Sequence, residues 1–207
     1  MAERPYTSMQ ELVVALADVM TKQDRTPFAF FGHSMGALVA LELARFCARH
    51  SLAMPLCLIA SGATAPQYDK PSRKLHTLPE NELIDALRDY DGSPPEVLEH
   101  RELMELLLPM IRADFQLIEN YVYRAGRPLE LPLTVFVGDE DSHVIQESAS
   151  HWQKETLGPC RVHRFRGGHF FINSDQTAVL SCIRTTLMDK LARPSEKASY
   201  EALSSCY

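Results

Sequence analysis

Residues 32–36 place a serine between two glycines, with a short apolar run before them and a helical pattern after them. Gly-x-Ser-x-Gly at a strand-to-helix junction is typical of a nucleophile elbow, whose sharp, strained turn exposes the serine hydroxyl. We therefore interpret Ser34 as a nucleophile and expect close packing of the turn to require both Gly32 and Gly36. The backbone N–H of Met35 would then serve as an oxyanion donor, aided by the helix dipole. The alternative is an ordinary turn that happens to contain serine.

A serine nucleophile needs a general base, and the base needs a partner that fixes its tautomer. In a fold with a nucleophile elbow, the chain order is nucleophile, acid, histidine. His169 fits the base because it follows two glycines that permit a tight loop after a predicted strand. The alternatives are a structural role for His169 and a base at His143, which we expect to face solvent. His33 adjoins Ser34 but should point away from the hydroxyl, so we expect it to be a packing residue.

The acid of such a set should follow the preceding predicted strand, because parallel sheets place their chemistry at the carboxyl ends of strands. Three carboxylates stand there, at Asp139, Glu140 and Asp141. Asp139 is closest to the strand end, Glu140 alternates to the other side, and Asp141 lies further into the loop. The residues themselves leave the choice open.

The elements that must position these side chains alternate along the chain. Short apolar runs predict strands, and apolar residues at helical spacing predict helices. The predicted strands are 28–31, 55–61, 131–138 and 160–165, and the predicted helices are 8–21, 35–49, 146–156 and 175–192. Because strands separated by helices need crossover connections, this order predicts an α/β fold with a parallel sheet.

Between residues 66 and 126 the alternation stops, and only helical patterns remain. We expect helices at about 80–90, 96–108 and 110–124. Together they indicate a helical insertion that divides the chain into core segments at 1–65 and 127–193, followed by a polar tail at 194–207. The last predicted helix of the insertion carries an apolar stripe that needs a partner surface. The stripe consists of Ile111, Phe115, Ile118 and Val122.

The overall composition excludes several classes of function. The chain has 207 residues, 45% of them hydrophobic, and a net charge of −6 with no long basic run, so nucleic acid is not an expected partner. No apolar stretch has the length of a signal peptide core or a membrane span, so we expect a cytosolic protein without a membrane partner. Five cysteines lack metal-ligand spacing and predict free thiols; we expect no metal and no cofactor. They are Cys47, Cys57, Cys160, Cys182 and Cys206.

The chain resembles the type II thioesterases in the segments PFAFFGHSMGALVALELAR, LPMIRADFQLIENY, LPLTVFVGDEDSHV and FRGGHFFI. This family includes the stand-alone editing thioesterases of polyketide and nonribosomal peptide synthesis and the chain-releasing thioesterase of animal fatty acid synthase. The resemblance implies an α/β-hydrolase fold with a helical lid, and a triad of Ser34, Asp141 and His169. It also implies acyl thioesters on the phosphopantetheine arm of an acyl carrier protein as substrates. The apolar stripe of the insertion would then either cover the acyl chamber or only pack on the core. Two alternatives are a small-molecule carboxylesterase using the same triad and a catalytically impaired form.

The resemblance also has a gap at its start. Members of the family usually carry their first strands, and a loop of the type F-P-x-A-G-G, before the segment that matches residues 4–6. That loop supplies a second oxyanion donor, whereas residues 1–31 of this sequence contain no glycine. The sequence therefore predicts that these 207 residues alone form a marginal fold with an exposed strand edge and hydrolyse thioesters slowly.

Overall fold

In the computed structural model, which describes residues 4–22, 26–68, 74–90, 92 and 94–192, a parallel sheet organises the chain. Among these residues the sheet has four strands in the spatial order β1-β2-β3-β4. They are β1 (Phe30–His33), β2 (Leu58–Ser61), β3 (Leu133–Gly138) and β4 (Cys160–Phe165). Because every pair is parallel, all carboxyl ends meet at one edge of the sheet. The prediction of an α/β fold with a parallel sheet is thus confirmed.

The strand bounds differ in part from those expected. β4 matches its prediction, while β1 begins and ends two residues later than the predicted strand. The backbone of β1 pairs with β2 as far as His33 and Ser61, although Gly32 and His33 are not strand-forming residues. Tertiary pairing therefore overrides local propensity here. β1 forms one edge of the sheet built from the described residues.

Side chains from β2 alternate between the two faces of the sheet. Leu58 and Ala60 belong to a core that includes α1 (Met9–Thr21) and α2 (Met35–Arg49). Ile59 faces the opposite core, which receives Val179 from the last helix. This alternation follows from the two-residue repeat of a strand and explains why β2 is buried on both sides.

The predicted insertion forms helices between β2 and β3. They are α3 (Glu80–Asp89), α4 (Pro95–Glu99) and α5 (Arg101–Glu119), and they share an apolar cluster that includes Leu83, Met104 and Leu108. The insertion therefore has a small core of its own. Its role as a lid, and the division of the chain into the four predicted segments, remain predictions.

The expected break between the second and third insertion helices is wrong. α5 runs through Pro109 and ends at Glu119, so it replaces most of the predicted helices 96–108 and 110–124. A proline inside a helix removes one backbone hydrogen bond and costs about 3 kcal/mol. Burial of Leu108 before it and Ala113 after it on the same helix offsets that cost. Local propensity indicated a boundary that packing has overridden.

The helical elements after β3 pack on both faces of the sheet. A 3₁₀ helix occupies Gln146–Glu155, where the sequence predicted helical structure, and α6 (Phe171–Ser174) precedes α7 (Gln176–Leu191). The predicted tail at 194–207 and Cys206 lie outside the described residues.

Among the described residues, none of the helices combines the length and the apolar character that a membrane span needs. A cytosolic location remains a prediction.

Candidate active site

Ser34 occupies a strained turn between β1 and α2. Its backbone angles are φ 54° and ψ −120°, a conformation that a residue with a side chain rarely adopts. Such strain costs about 1–3 kcal/mol and persists only where the surrounding structure enforces it. Enforcement comes from the neighbouring strand, because the Ser34 N–H donates to the carbonyl of Ser61 at 2.8 Å. Met35, directly after the serine, begins α2, where first-turn N–H groups lack intrahelical partners.

The two glycines of the turn are not equivalent. A Cβ on Gly32 would lie 2.0 Å from the carbonyl oxygen of Gly36 and 2.6 Å from the nitrogen of Ala37. Among the described residues, a Cβ on Gly36 would meet no atom within 4 Å, apart from its own helix backbone and its neighbours in sequence. The expectation that close packing requires both glycines is therefore right for Gly32 and wrong for Gly36. Gly36 belongs to the first turn of α2 and faces open space.

His169 connects the serine to a carboxylate. Its Nε2 lies 2.9 Å from the Ser34 Oγ, and its Nδ1 lies 2.9 Å from the Asp141 Oδ2. His169 is 6% exposed and Asp141 3% exposed, so water is largely excluded from the ion-pairing side of the ring. With a proton on Nδ1 donated to the carboxylate, Nε2 can accept the hydroxyl proton of Ser34. The structure thus brings together the three side chains that the resemblance implied.

The three candidate carboxylates are separated clearly by geometry. Asp141 is buried and accepts from the backbone N–H of His143 at 2.9 Å in addition to its contact with His169. Asp139 is exposed and lies 3.5 Å from the Arg164 guanidinium. Glu140 is also exposed. Position 141 therefore carries the carboxylate that contacts the imidazole, a choice that the spacing alone left open.

Glycines hold the acid loop against the histidine loop. A Cβ on Gly138 would lie 2.6 Å from the Gly168 carbonyl oxygen and 2.7 Å from that of Gly167. Gly167 has a φ of 113°, which favours glycine, and its carbonyl accepts from the backbone N–H of Glu140 at 3.0 Å. This close backbone contact brings the carboxylate of Asp141 within reach of the imidazole that follows Gly168.

His33 behaves as the sequence predicted for a packing residue. In the described chain its Nδ1 pairs with the Ser61 hydroxyl at 2.9 Å, and its ring packs 5.1 Å from that of His169. Burial, and then the proximity of His169, lower the pKa of His33 to about 4. The ring is therefore neutral at physiological pH and adds no second positive charge beside His169.

The rival histidine, His143, is exposed but has a specific contact. Its ring stacks on Tyr90 with centroids 3.8 Å apart and an interplanar angle of 7°. Both rings also lie near His169, at 5.4 Å for His143 and 5.6 Å for Tyr90. Sequence reasoning missed Tyr90, and the available signal was an aromatic residue at the end of a predicted insertion helix.

The predicted apolar stripe is divided by the structure. Ile111 and Phe115 pack on the apolar cluster within the insertion, whereas Ile118 packs on the core that the sheet shares with α1 and α2. Val122 lies beyond the end of α5 and is 73% exposed, so its place in a helical stripe was wrongly predicted. Phe115 packs against Tyr90 with ring centroids 5.8 Å apart, and Tyr90 in turn contacts His169. Whether any of them contacts an acyl chain remains a prediction.

A large cleft of about 1440 Å³ lies elsewhere on the molecule. It is lined by the start of α1, the second half of α2 and the chain from 117 to 132, and Ser34, Asp141 and His169 are not among its lining residues. Leu56 and Pro132, which precede β2 and β3, also line it. The cleft is therefore at the amino ends of the strands, opposite the triad, and we assign it no part in the chemistry.

Comparison with known proteins adds an independent line of evidence. The family model described as "Thioesterase domain" matches residues 1–187. The chain is 38% identical over 189 residues to linear gramicidin dehydrogenase LgrE of Brevibacillus parabrevis, covering 90% of this chain and 72% of that protein. It is 39% identical over 171 residues to the gramicidin S biosynthesis protein GrsT of Aneurinibacillus migulanus, covering 83% and 67% of the two chains.

A solved structure extends the similarity to the fold. The type II thioesterase BorB from the borrelidin biosynthetic cluster superposes with a TM-score of 0.80 at 35% identity, covering 88% of this chain and 74% of that one. The chain therefore belongs to the thioesterase domain family and is a thioester hydrolase with the α/β-hydrolase fold.

Proposed function

We propose that this chain hydrolyses acyl thioesters on the phosphopantetheine arm of a carrier protein, through an acyl-enzyme at Ser34. The observation that carries the proposal is the hydrogen-bonded series from the Ser34 Oγ through His169 to Asp141, with two contacts of 2.9 Å. Relatives named for gramicidin S and borrelidin biosynthesis support a carrier-bound substrate.

In the acylation step, the Ser34 Oγ attacks the thioester carbonyl carbon while its proton passes to the Nε2 of His169. The backbone N–H of Met35 stabilises the oxyanion that forms, since it stands at the start of α2 where partial positive charge accumulates. The tetrahedral intermediate then collapses, the carbon–sulfur bond breaks, and the sulfur leaves as a thiol with the proton returned by His169.

Deacylation repeats these steps with water as the nucleophile. His169 removes a proton from water, whose oxygen attacks the acyl-enzyme carbonyl, and then returns a proton to the Ser34 oxygen as the carboxylic acid departs. Asp141 keeps the imidazole in the tautomer with a proton on Nδ1 and stabilises the positive charge that forms twice per turnover. The burial of both groups strengthens this interaction.

The proposal is tested by comparing substrates and two serine variants. Release of acid is measured from an acyl carrier protein, from a free acyl thioester and from an aryl ester carrying the same acyl group. We expect Ser34→Ala to abolish release from all of them, and Ser150→Ala, which alters an exposed serine, to have no effect. A preference for the carrier-bound thioester supports the proposal. Preference for the aryl ester would instead indicate a carboxylesterase.

A further inference from the structure

The insertion and the acid loop meet at a pair of stacked rings, here called the Tyr90–His143 pair. Tyr90 directly follows α3 in the insertion, and His143 lies in the loop after β3 that also carries Asp141. The ring centroids are 3.8 Å apart and the planes differ by 7°. The pair thus brings the insertion into direct contact with the loop that carries Asp141.

His143 makes hydrogen bonds in both directions from this contact. Its Nε2 lies 3.2 Å from the Asp89 carbonyl oxygen, to which a protonated ring nitrogen donates. Its backbone N–H donates to the Asp141 Oδ1 at 2.9 Å, and the other oxygen of that carboxylate contacts the His169 Nδ1. A continuous series of bonds therefore runs from the end of α3 to the imidazole.

Both rings of the pair also contact the imidazole of His169. Tyr90 meets it at 5.6 Å with planes at 78°, and His143 meets it at 5.4 Å with planes at 73°. The imidazole also lies 5.2 Å from the ring of Phe170, with planes at 90°, and 5.1 Å from the ring of His33. Edge-to-face packing of this kind favours one orientation of the central ring, and aromatic rings within about 6 Å stabilise a cation.

Two further contacts fix Tyr90 and the insertion in this placement. Tyr90 packs against Phe115 of α5 at 5.8 Å, so its ring is fixed to the core of the insertion. Gly92 lies so close to Phe170 that an added Cβ would be 2.2 Å from the phenyl ring. The ring of Tyr90 can therefore contact His169 only while the insertion keeps this placement.

We infer that the Tyr90–His143 pair orients His169 for proton transfer and makes the reactivity of Ser34 depend on the placement of the insertion. This inference rests on the proposed function, because it concerns the orientation of His169, the proposed general base. Neither residue touches the reacting atoms, so both are positioning residues. Loss of the pair leaves the Nδ1 contact with Asp141 in place but removes two of the rings that hold the imidazole plane. A displacement of about 1 Å in such a group costs about 100-fold in rate.

The test compares Tyr90→Ala, Tyr90→Phe, His143→Ala and the Tyr90/His143 double alanine variant. The matched control is His50→Ala, which removes a histidine ring stacked on Phe46 at 4.1 Å near the far end of α2. Hydrolysis of a small aryl ester is measured, since such a substrate needs little contact with the insertion. The rate at which a fluorophosphonate labels Ser34 and the urea midpoint of unfolding are measured in parallel.

We expect Tyr90→Ala and His143→Ala each to lower kcat and the labelling rate by 10-fold to 100-fold, with KM changed less than threefold. Tyr90→Phe should keep both rates within threefold of the parent, because phenylalanine retains the aromatic ring. The double variant should lose no more than either single variant, as residues acting through one contact are not additive. His50→Ala should keep kcat even if its urea midpoint falls.

Two kinds of failure are distinguishable. The positioning role is overturned, and the proposed function stands, if hydrolysis depends on Ser34 while Tyr90→Ala keeps kcat within twofold of the parent. The same conclusion follows if the fall in kcat of Tyr90→Ala is no larger than the fall in kcat of His50→Ala. If Ser34→Ala keeps its activity and the probe does not label Ser34, the proposed function fails and the inference fails with it.

Discussion

The imidazole of His33 forms a hydrogen bond with the hydroxyl of Ser61 at 2.9 Å, although the next residue in the chain is Ser34, the proposed nucleophile. The contact joins the last residue of β1, directly before the turn, to the last residue of β2, whose carbonyl also accepts from the Ser34 N–H. The turn is thus fixed to the adjacent strand by one backbone bond and one side-chain bond, which helps to maintain its strained conformation.

This contact predicts a pH dependence of stability. The pKa of His33 is about 4 in the folded chain and near 6.5 when unfolded, so the unfolded state binds more protons between those values. The free energy of unfolding should therefore fall by up to about 3 kcal/mol as the pH drops from about 6.5 to about 4, and this contribution should then level off. His33→Gln, which keeps a hydrogen-bonding group but does not titrate, should flatten this part of the curve.

The measurement is urea unfolding at a series of pH values, with His50→Gln as the control because His50 is exposed. The control should retain the pH dependence of the parent. A curve for His33→Gln that matches the parent between pH 4 and 6.5 would show that His33 is not the group responsible.

The two glycines of the serine turn predict opposite effects of alanine. Gly32→Ala places a methyl group 2.0 Å from a backbone oxygen, and we expect a loss of about 3 kcal/mol or more in unfolding free energy, with loss of activity. Gly36→Ala adds a methyl group in open space in the first turn of α2, where we expect stability to be unchanged or raised by up to about 1 kcal/mol. Unfolding curves of the two variants provide the comparison, and equal destabilisation would refute the asymmetry.

The carboxylates of the acid loop predict a sharp contrast. Asp141→Asn should lower kcat by about 10⁴-fold, because the amide no longer selects the tautomer that leaves Nε2 free. Asp139→Asn should stay within about threefold, since an exposed pair with Arg164 contributes little. Steady-state kinetics of both variants test the choice. It would be contradicted if Asp139→Asn had the larger effect.

Phe115 provides the test of an acyl-contacting role for α5. If the space beside Tyr90 accommodates the acyl chain, Phe115→Leu should raise kcat/KM for longer acyl chains over shorter ones by about fourfold for each methylene that the enlarged space newly admits. Val122→Ala is the control, because that side chain is exposed and outside α5. A lower unfolding free energy with an unchanged chain-length preference would show that Phe115 only packs within the insertion.

Features of the site that depend on local sequence were predictable. The apolar run before Gly32 and the helical pattern after it predicted the strand-turn-helix, and α2 has the bounds that its periodicity indicated. The paired glycines before His169 likewise indicated a tight loop. These features depend on neighbouring residues, whose sterics and spacing are visible in the sequence.

Features that depend on contacts between distant segments were not predictable from the spacing. The choice of Asp141 over its neighbours depends on how the acid loop packs on Gly167 and Gly168. The passage of α5 through Pro109 depends on burial of its apolar face, and the stacking of Tyr90 on an exposed histidine depends on where the insertion lies. Tertiary packing decides each of these, and local propensity is a weak guide to it.

The central claim, that Ser34 carries the acyl group, is tested most directly by intact-protein and peptide mass spectrometry after brief mixing with an acyl-loaded carrier protein. The account predicts a protein mass increased by one acyl group, located on the peptide containing Ser34, that decays as free acid is released. The adduct should be absent from Ser34→Ala and present in Ser150→Ala. Release of acid at the parent rate by Ser34→Ala, or an adduct on another residue, would contradict the account.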